Sequence, residues 1–99
     1  MNYHLSFKAR IDLQEIWNYT VEEWSMDQAD HYVNLLLDEM EDIAANSHRG
    51  FEQNYSGTKF LFSQVESHLI FYRRLADNTD IEVIRVLHKR MDIPNRLFD

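Results

Sequence analysis

Cysteine is missing from this 99-residue chain, which excludes disulfides, thiol catalysis, thiolate zinc sites and iron–sulfur clusters together. Proline occurs once and glycine twice, so long turn-rich loops and an all-β sandwich are disfavoured. With only Gly50 and Gly57 available, neither a glycine-rich phosphate loop nor a G-x-S-x-G nucleophile elbow can be built. No apolar run reaches the roughly 18 residues a membrane span requires. The first seventeen residues lack the apolar core and small-residue cleavage site of a secretory signal. The five histidines, at 4, 31, 48, 68 and 88, are never spaced by a metal-ligand step of two to five. Neither a metal nor a cofactor is expected.

What remains is ordinary globular material. Hydrophobic residues make up 44% and aromatics 13%, too rich for disorder. The length suits one domain, residues 1–99, and the expected location is the cytoplasm. Net charge is −7, but unevenly placed. Residues 1–48 carry ten acids against Lys8 and Arg10, whereas residues 85–96 set Arg85, Lys89, Arg90 and Arg96 against Asp92 alone. The acidic front half opposes unaided nucleic-acid binding, because phosphate affinity scales with basic contacts. The basic end leaves two readings: a solvated strand end, or a contact for RNA or an acidic partner.

Periodicity divides the chain in two. After a short alternating strand at residues 3–7, Ser6 can cap a helix running to about Trp24. Its stripe is Ala9, Leu13, Ile16, Trp17 and Trp24, with Thr20 between the last two and Tyr19 on its flank. Ser25 and Gln28 have capping-box spacing and open a second helix to about Asn46. Ala29, Val33, Leu36, Leu37, Met40, Ile43 and Ala44 form its apolar face. So short a link predicts an antiparallel helical hairpin. Gly50 and Gly57 bracket an expected polar loop, after which the period drops to two. Residues 59–64, 68–75 and 81–88 then read as an antiparallel meander, separated by turns at 66–67 and 77–80. The expected fold is α+β in the order β-α-α-β-β-β, the hairpin lying on one face of a small antiparallel sheet.

The last two strands are apolar on both faces. Alternation puts Leu69, Phe71, Arg73, Val83, Arg85 and Leu87 together, and His68, Ile70, Tyr72, Ile84, Val86 and His88 opposite. One face lies under the helices. The other needs cover, either from a second protein chain or from sheet curvature and the tail at residues 93–98. Arg73 and Arg85 on an apolar face must be paired, in cis by Glu66 or Glu82, or by a partner's carboxylate or phosphate. An RNA-cleaving site needs a base, an acid and a cation for the phosphorane. The available His88 and Tyr72 are separated by parity from Arg73 and Arg85, which counts against it. Trp17 and Trp24 read as core or, for Trp24 beside the turn, as an interface anchor.

The string LSFKARIDLQEIWNYTVEEW, the helix opening at Gln28, Ala29 and Tyr32, the segment HLIFYR from His68, and IRVLHKRMD from Ile84 together resemble the ParE toxins of the RelE/ParE superfamily. The likeness runs over nearly the whole chain and departs at 46–50, where NSHRG stands in place of a proline-containing turn. It implies a non-enzymatic toxin of a type II toxin–antitoxin system that inhibits DNA gyrase. It also implies a ParD-like ribbon-helix-helix antitoxin as partner, touching DNA on the toxin's behalf. The resemblance does not say which residues meet gyrase; the basic C-terminal strand and tail place the expected contact at Arg85, His88, Lys89, Arg90 and Arg96. Antitoxin contact is expected at Trp17, Trp24, Leu69, Phe71, Arg73, Val83 and Arg85. The alternative within the superfamily is a ribosome-dependent mRNA endonuclease, and a third reading is a relic that only tunes its antitoxin's grip on an operator.

Overall fold

Two serines start the two long helices. Ser6 Oγ accepts the Ala9 N–H at 3.0 Å and opens α1 (Phe7–Glu23), while Ser25 Oγ accepts the Gln28 N–H at 3.0 Å and opens α2 (Met26–Ala45). The computed structural model describes residues 2–76 and 79–99. Ahead of α1 stands β1 (Tyr3–Leu5), and after α2 a 3₁₀ turn (Ser47–Arg49) leads into β2 (Phe51–Tyr55), β3 (Thr58–Val65), β4 (His68–Arg74) and β5 (Ile81–His88). A five-residue helix, α3 (Ile93–Leu97), ends the fold. Of the turn expected at 77–80, Asp77 and Asn78 lie outside the described residues.

The sheet runs β1-β5-β4-β3-β2 and is mixed, because β1 pairs parallel to β5 while the other pairs are antiparallel. α2 is the main packing helix, burying Leu36, Met40 and Ile43 completely against Ile70, Tyr72, Ile81 and Val83. α1 buries only Ala9 and Asp12 fully. Much of its apolar stripe is therefore half-covered.

Three features correct the sequence reading. First, residues 51–55 form a strand rather than a polar loop. Ser56 and Gly57 have φ of 51° and 84°, the left-handed pair that a two-residue hairpin turn requires, and Tyr55 pairs with Thr58 across it. Second, Val83 is not on the face of Arg85 and Leu87. Phe71 stands opposite Arg85 and Tyr72 opposite Val83, which leaves Ile84 without a partner on β4. This β-bulge turns Ile81 and Val83 toward the helices, in company with Val86.

Third, the far face is not left bare. Ile93 and Leu97 of α3 pack on Phe71 and Leu87, with Tyr55, Phe60, Phe62 and Leu69 around them. Phe71 and Leu87 are sealed by the chain itself, so of the two forms of cover expected, the tail supplies it. Pro94 in the first turn of α3 suits a position whose N–H has no helical acceptor.

Candidate partner-binding groove

The half-covered side of α1 faces an open groove of about 950 Å³ between the helical hairpin and the β3–β4 end of the sheet. Ile16, Tyr19 and Trp24 form one wall, and His88, Arg90 and Met91 the other. Trp24 ends α1 with φ −133° and ψ −91°, off the helical path, and its side chain is 76% exposed. Tyr19 and Met91 are exposed beside it. Apolar surface held open among polar residues, with Arg90 as its cation and Asp12, Glu15 and Glu66 on its lining, is the composition of an interface patch.

Part of its lining is a polar pair without charge. Tyr32 Oη and His68 Nδ1 share a hydrogen bond of 2.6 Å, and the His68 ring meets His88 edge-on at 5.3 Å. Burial, with the His88 charge next, lowers the His68 pKa to about 4, so the ring is neutral near pH 7. Burial likewise raises the Tyr32 hydroxyl above its ordinary value. His88 Nδ1 accepts the Arg90 N–H at 3.1 Å and the Lys89 N–H is held by the Ser67 carbonyl at 2.9 Å. These two bonds fix where the basic residues leave the sheet.

Behind Asp12, which lines the groove, Arg85 is held by three side-chain hydrogen bonds. Its Nε and Nη2 donate to the two oxygens of Asp12 at 2.8 and 2.9 Å, and Nη1 donates to the Arg96 carbonyl at 2.7 Å. Asp12 also accepts the Val86 N–H at 2.9 Å, standing in for the strand partner that β5 lacks beyond the end of β1. The Asp12 bonds raise the Arg85 pKa further, so the guanidinium is permanently charged.

The residues singled out in the sequence are thus dispersed. His88 and Arg90 reach the groove with Trp24. Lys89 and Arg96 are exposed, but Arg96 lies on α3, across the sheet from the groove. Trp17 is half-buried, donates from Nε1 to Asp30 at 2.9 Å and borders a shallower depression with Leu13 and Val33. Arg73 is paired with Glu82 at 2.8 Å on the far face, one of the two carboxylates expected there. Phe71, Val83 and Arg85 are inside the chain and Leu69 is half-covered there, so none offers an open contact. Tyr72 is sealed and gives its hydroxyl proton to the Ser47 carbonyl at 2.8 Å. Sequence reasoning missed Tyr32, His68 and Met91 as groove residues. A tyrosine one step off the α2 stripe was the available signal.

Comparison with known proteins now adds the family. The model of the ParE toxin of type II toxin–antitoxin system parDE matches residues 3–93. The chain belongs to the ParE toxin family. It is 37% identical over 95 residues to toxin ParE1 of Mycobacterium tuberculosis, covering 96% of both chains. It is 33% identical over 90 residues to toxin ParE1 of Caulobacter vibrioides, 91% of each. Against toxin ParE of Escherichia coli it is 29% identical over 97 residues, 98% of this chain and 93% of that one. A solved chain of the chromosomal ParDE TA system from P. aeruginosa shares the fold, with a TM-score of 0.75 at 16% identity, over 89% of this chain and 95% of the other. No helix among the described residues of this ParE toxin is long and apolar enough to cross a membrane.

Proposed function

We propose that this ParE-family chain inhibits DNA gyrase by binding it in the cytoplasm, without chemistry of its own, and is neutralised by a ParD-like ribbon-helix-helix antitoxin. One observation carries the reading: one groove is lined by the exposed Trp24 on one wall and by His88 and Arg90, where β5 ends, on the other. The antitoxin's extended segment takes the apolar wall, and gyrase contacts His88, Lys89, Arg90 and Arg96. Arg73 lies exposed on the far face, where a long antitoxin segment can also reach it.

The endonuclease alternative has less to stand on. Of its candidate groups, Tyr72 is sealed, Arg85 is locked to Asp12, and Arg73 lies across the sheet from His88. The deciding experiment adds purified protein to a gyrase supercoiling reaction and to a translation reaction read for mRNA cuts. Lost supercoiling with intact message supports the proposal; cut message with normal supercoiling rejects it. Inertness in both, with antitoxin binding kept, assigns the relic role.

A further inference from the structure

Arg85, buried behind this surface, joins three elements. It grows from β5, grips α1 through both oxygens of Asp12, and donates its third N–H to the carbonyl of Arg96 in α3. That carbonyl belongs to the last turn of a short helix, where backbone oxygens have no helical donor and the dipole favours a cation. Apart from that bond, α3 is held against the sheet by Ile93 and Leu97, with Phe98 at its end meeting Phe60 edge-on at 5.7 Å. A five-residue helix is too short to persist unaided.

We propose that Arg85 is a positioning residue for target binding: it fixes α3, and with it the path from Lys89 to Arg96, relative to the α1 wall of the groove. The inference rests on the reading that the basic tail meets gyrase. It assigns Arg85 a role through its neighbours in place of direct contact. Only a planar fork serves all three acceptors. A lysine can face Asp12, but its single ammonium cannot also hold the Arg96 carbonyl in that geometry.

Arg85→Lys is therefore the test, with Arg85→Gln as the variant that also leaves Asp12 without a cation. In Arg85→Lys, amide exchange at Arg96 and Phe98, whose N–H groups bond to Asp92 and Pro94 carbonyls, is expected to quicken about tenfold or more, while Ile70 and Tyr72 keep their protection. The protein concentration needed to halve supercoiling rises by about tenfold or more in the same sample. Arg85→Gln loses protection throughout the sheet as well. Should Arg85→Lys not fold, Asp12→Asn, which keeps the Arg96 carbonyl bond but loosens the α1 grip that orients the guanidinium, is followed by the same exchange and inhibition assays, with a smaller rise in both expected.

Unchanged exchange at Arg96 and Phe98 overturns the proposal, as does faster exchange with undiminished inhibition. A parallel Lys89→Glu/Arg90→Glu variant separates the two ideas. Lost inhibition there keeps the tail as the gyrase contact even if Arg85 fails its test. Full inhibition there overturns the tail reading and the positioning role together.

Discussion

His68 and His88 face each other directly across β4 and β5, their rings edge-on at 5.3 Å and 80°. His68 holds a pKa of about 4 in the fold against 6.5 when free, chiefly through burial. Between those values the unfolded chain binds a proton that the native chain refuses, so stability falls as pH drops from 6.5 toward 4. Each unit of separation is worth about 1.4 kcal/mol, and solvent reaching a half-buried ring reduces it, leaving a loss of roughly 1–2 kcal/mol. His68→Gln, which preserves an acceptor for the Tyr32 hydroxyl, removes that part of the slope. Urea titrations at pH 7 and pH 5 measure it, and an unaltered slope in the variant contradicts the assignment.

Gly50 and Tyr72 make a second, purely steric prediction. A Cβ on Gly50 collides with Tyr72 Oη and crowds the Phe62 carbonyl at 3.0 Å. Tyr72 cannot swing away, being wholly buried and tied to the Ser47 carbonyl. Gly50→Ala should cost about 1–3 kcal/mol through overpacking, seen as a lower denaturant midpoint at constant m. In a Tyr72→Phe background the colliding oxygen is gone and the penalty shrinks. Additive losses in the double variant argue against the clash.

Trp24 and Trp17 are predicted to separate binding from stability. Trp24 is largely exposed, so Trp24→Ala changes stability by no more than about 0.5 kcal/mol. Its loss at the centre of an antitoxin interface costs about 2 kcal/mol or more. Trp17→Phe breaks the bond to Asp30 and lowers stability by about 1 kcal/mol, with little effect on antitoxin affinity. Calorimetric titration with the antitoxin's C-terminal segment, alongside thermal melts, checks both. Equal effects of the two variants on affinity would remove Trp24 from its anchor role.

Much of the frame is local chemistry and was readable without coordinates. Ser6 and Ser25 cap where their spacing indicates, the α2 stripe is the core, and β3 to β5 follow the change of period. The bulge at Ile84 was hidden because one unpaired residue leaves alternation along the strand looking regular. β2 was hidden because its exposed Glu52, Gln53 and Asn54 are loop-like in composition, although Ser56-Gly57 between aromatic segments was a hairpin signal. Asp12 could not be matched to Arg85 across 73 residues, since pairing between a helix and a strand leaves no local trace. The groove follows from what α1 fails to bury, a property of tertiary packing rather than of any motif.

That packing also decides how the basic tail has to be tested. Cutting the chain after His88 removes Ile93 and Leu97, which cover Phe71 and Leu87, and with them the Arg96 carbonyl that Arg85 holds. Such a truncation is expected to lose several kcal/mol, about 2–5 for a single buried large aliphatic side chain, and so reports on folding. Lys89→Glu/Arg90→Glu leaves that cover intact. Both side chains are exposed, and the Arg90 N–H bond to His88 does not depend on its side chain. Stability should stay within about 0.5 kcal/mol per site. Gyrase inhibition should weaken about tenfold or more, and its dependence on salt between 50 and 200 mM should flatten, because the charges steering the encounter have changed sign. Inhibition that persists with the same salt dependence would place the gyrase contact away from the β5 exit.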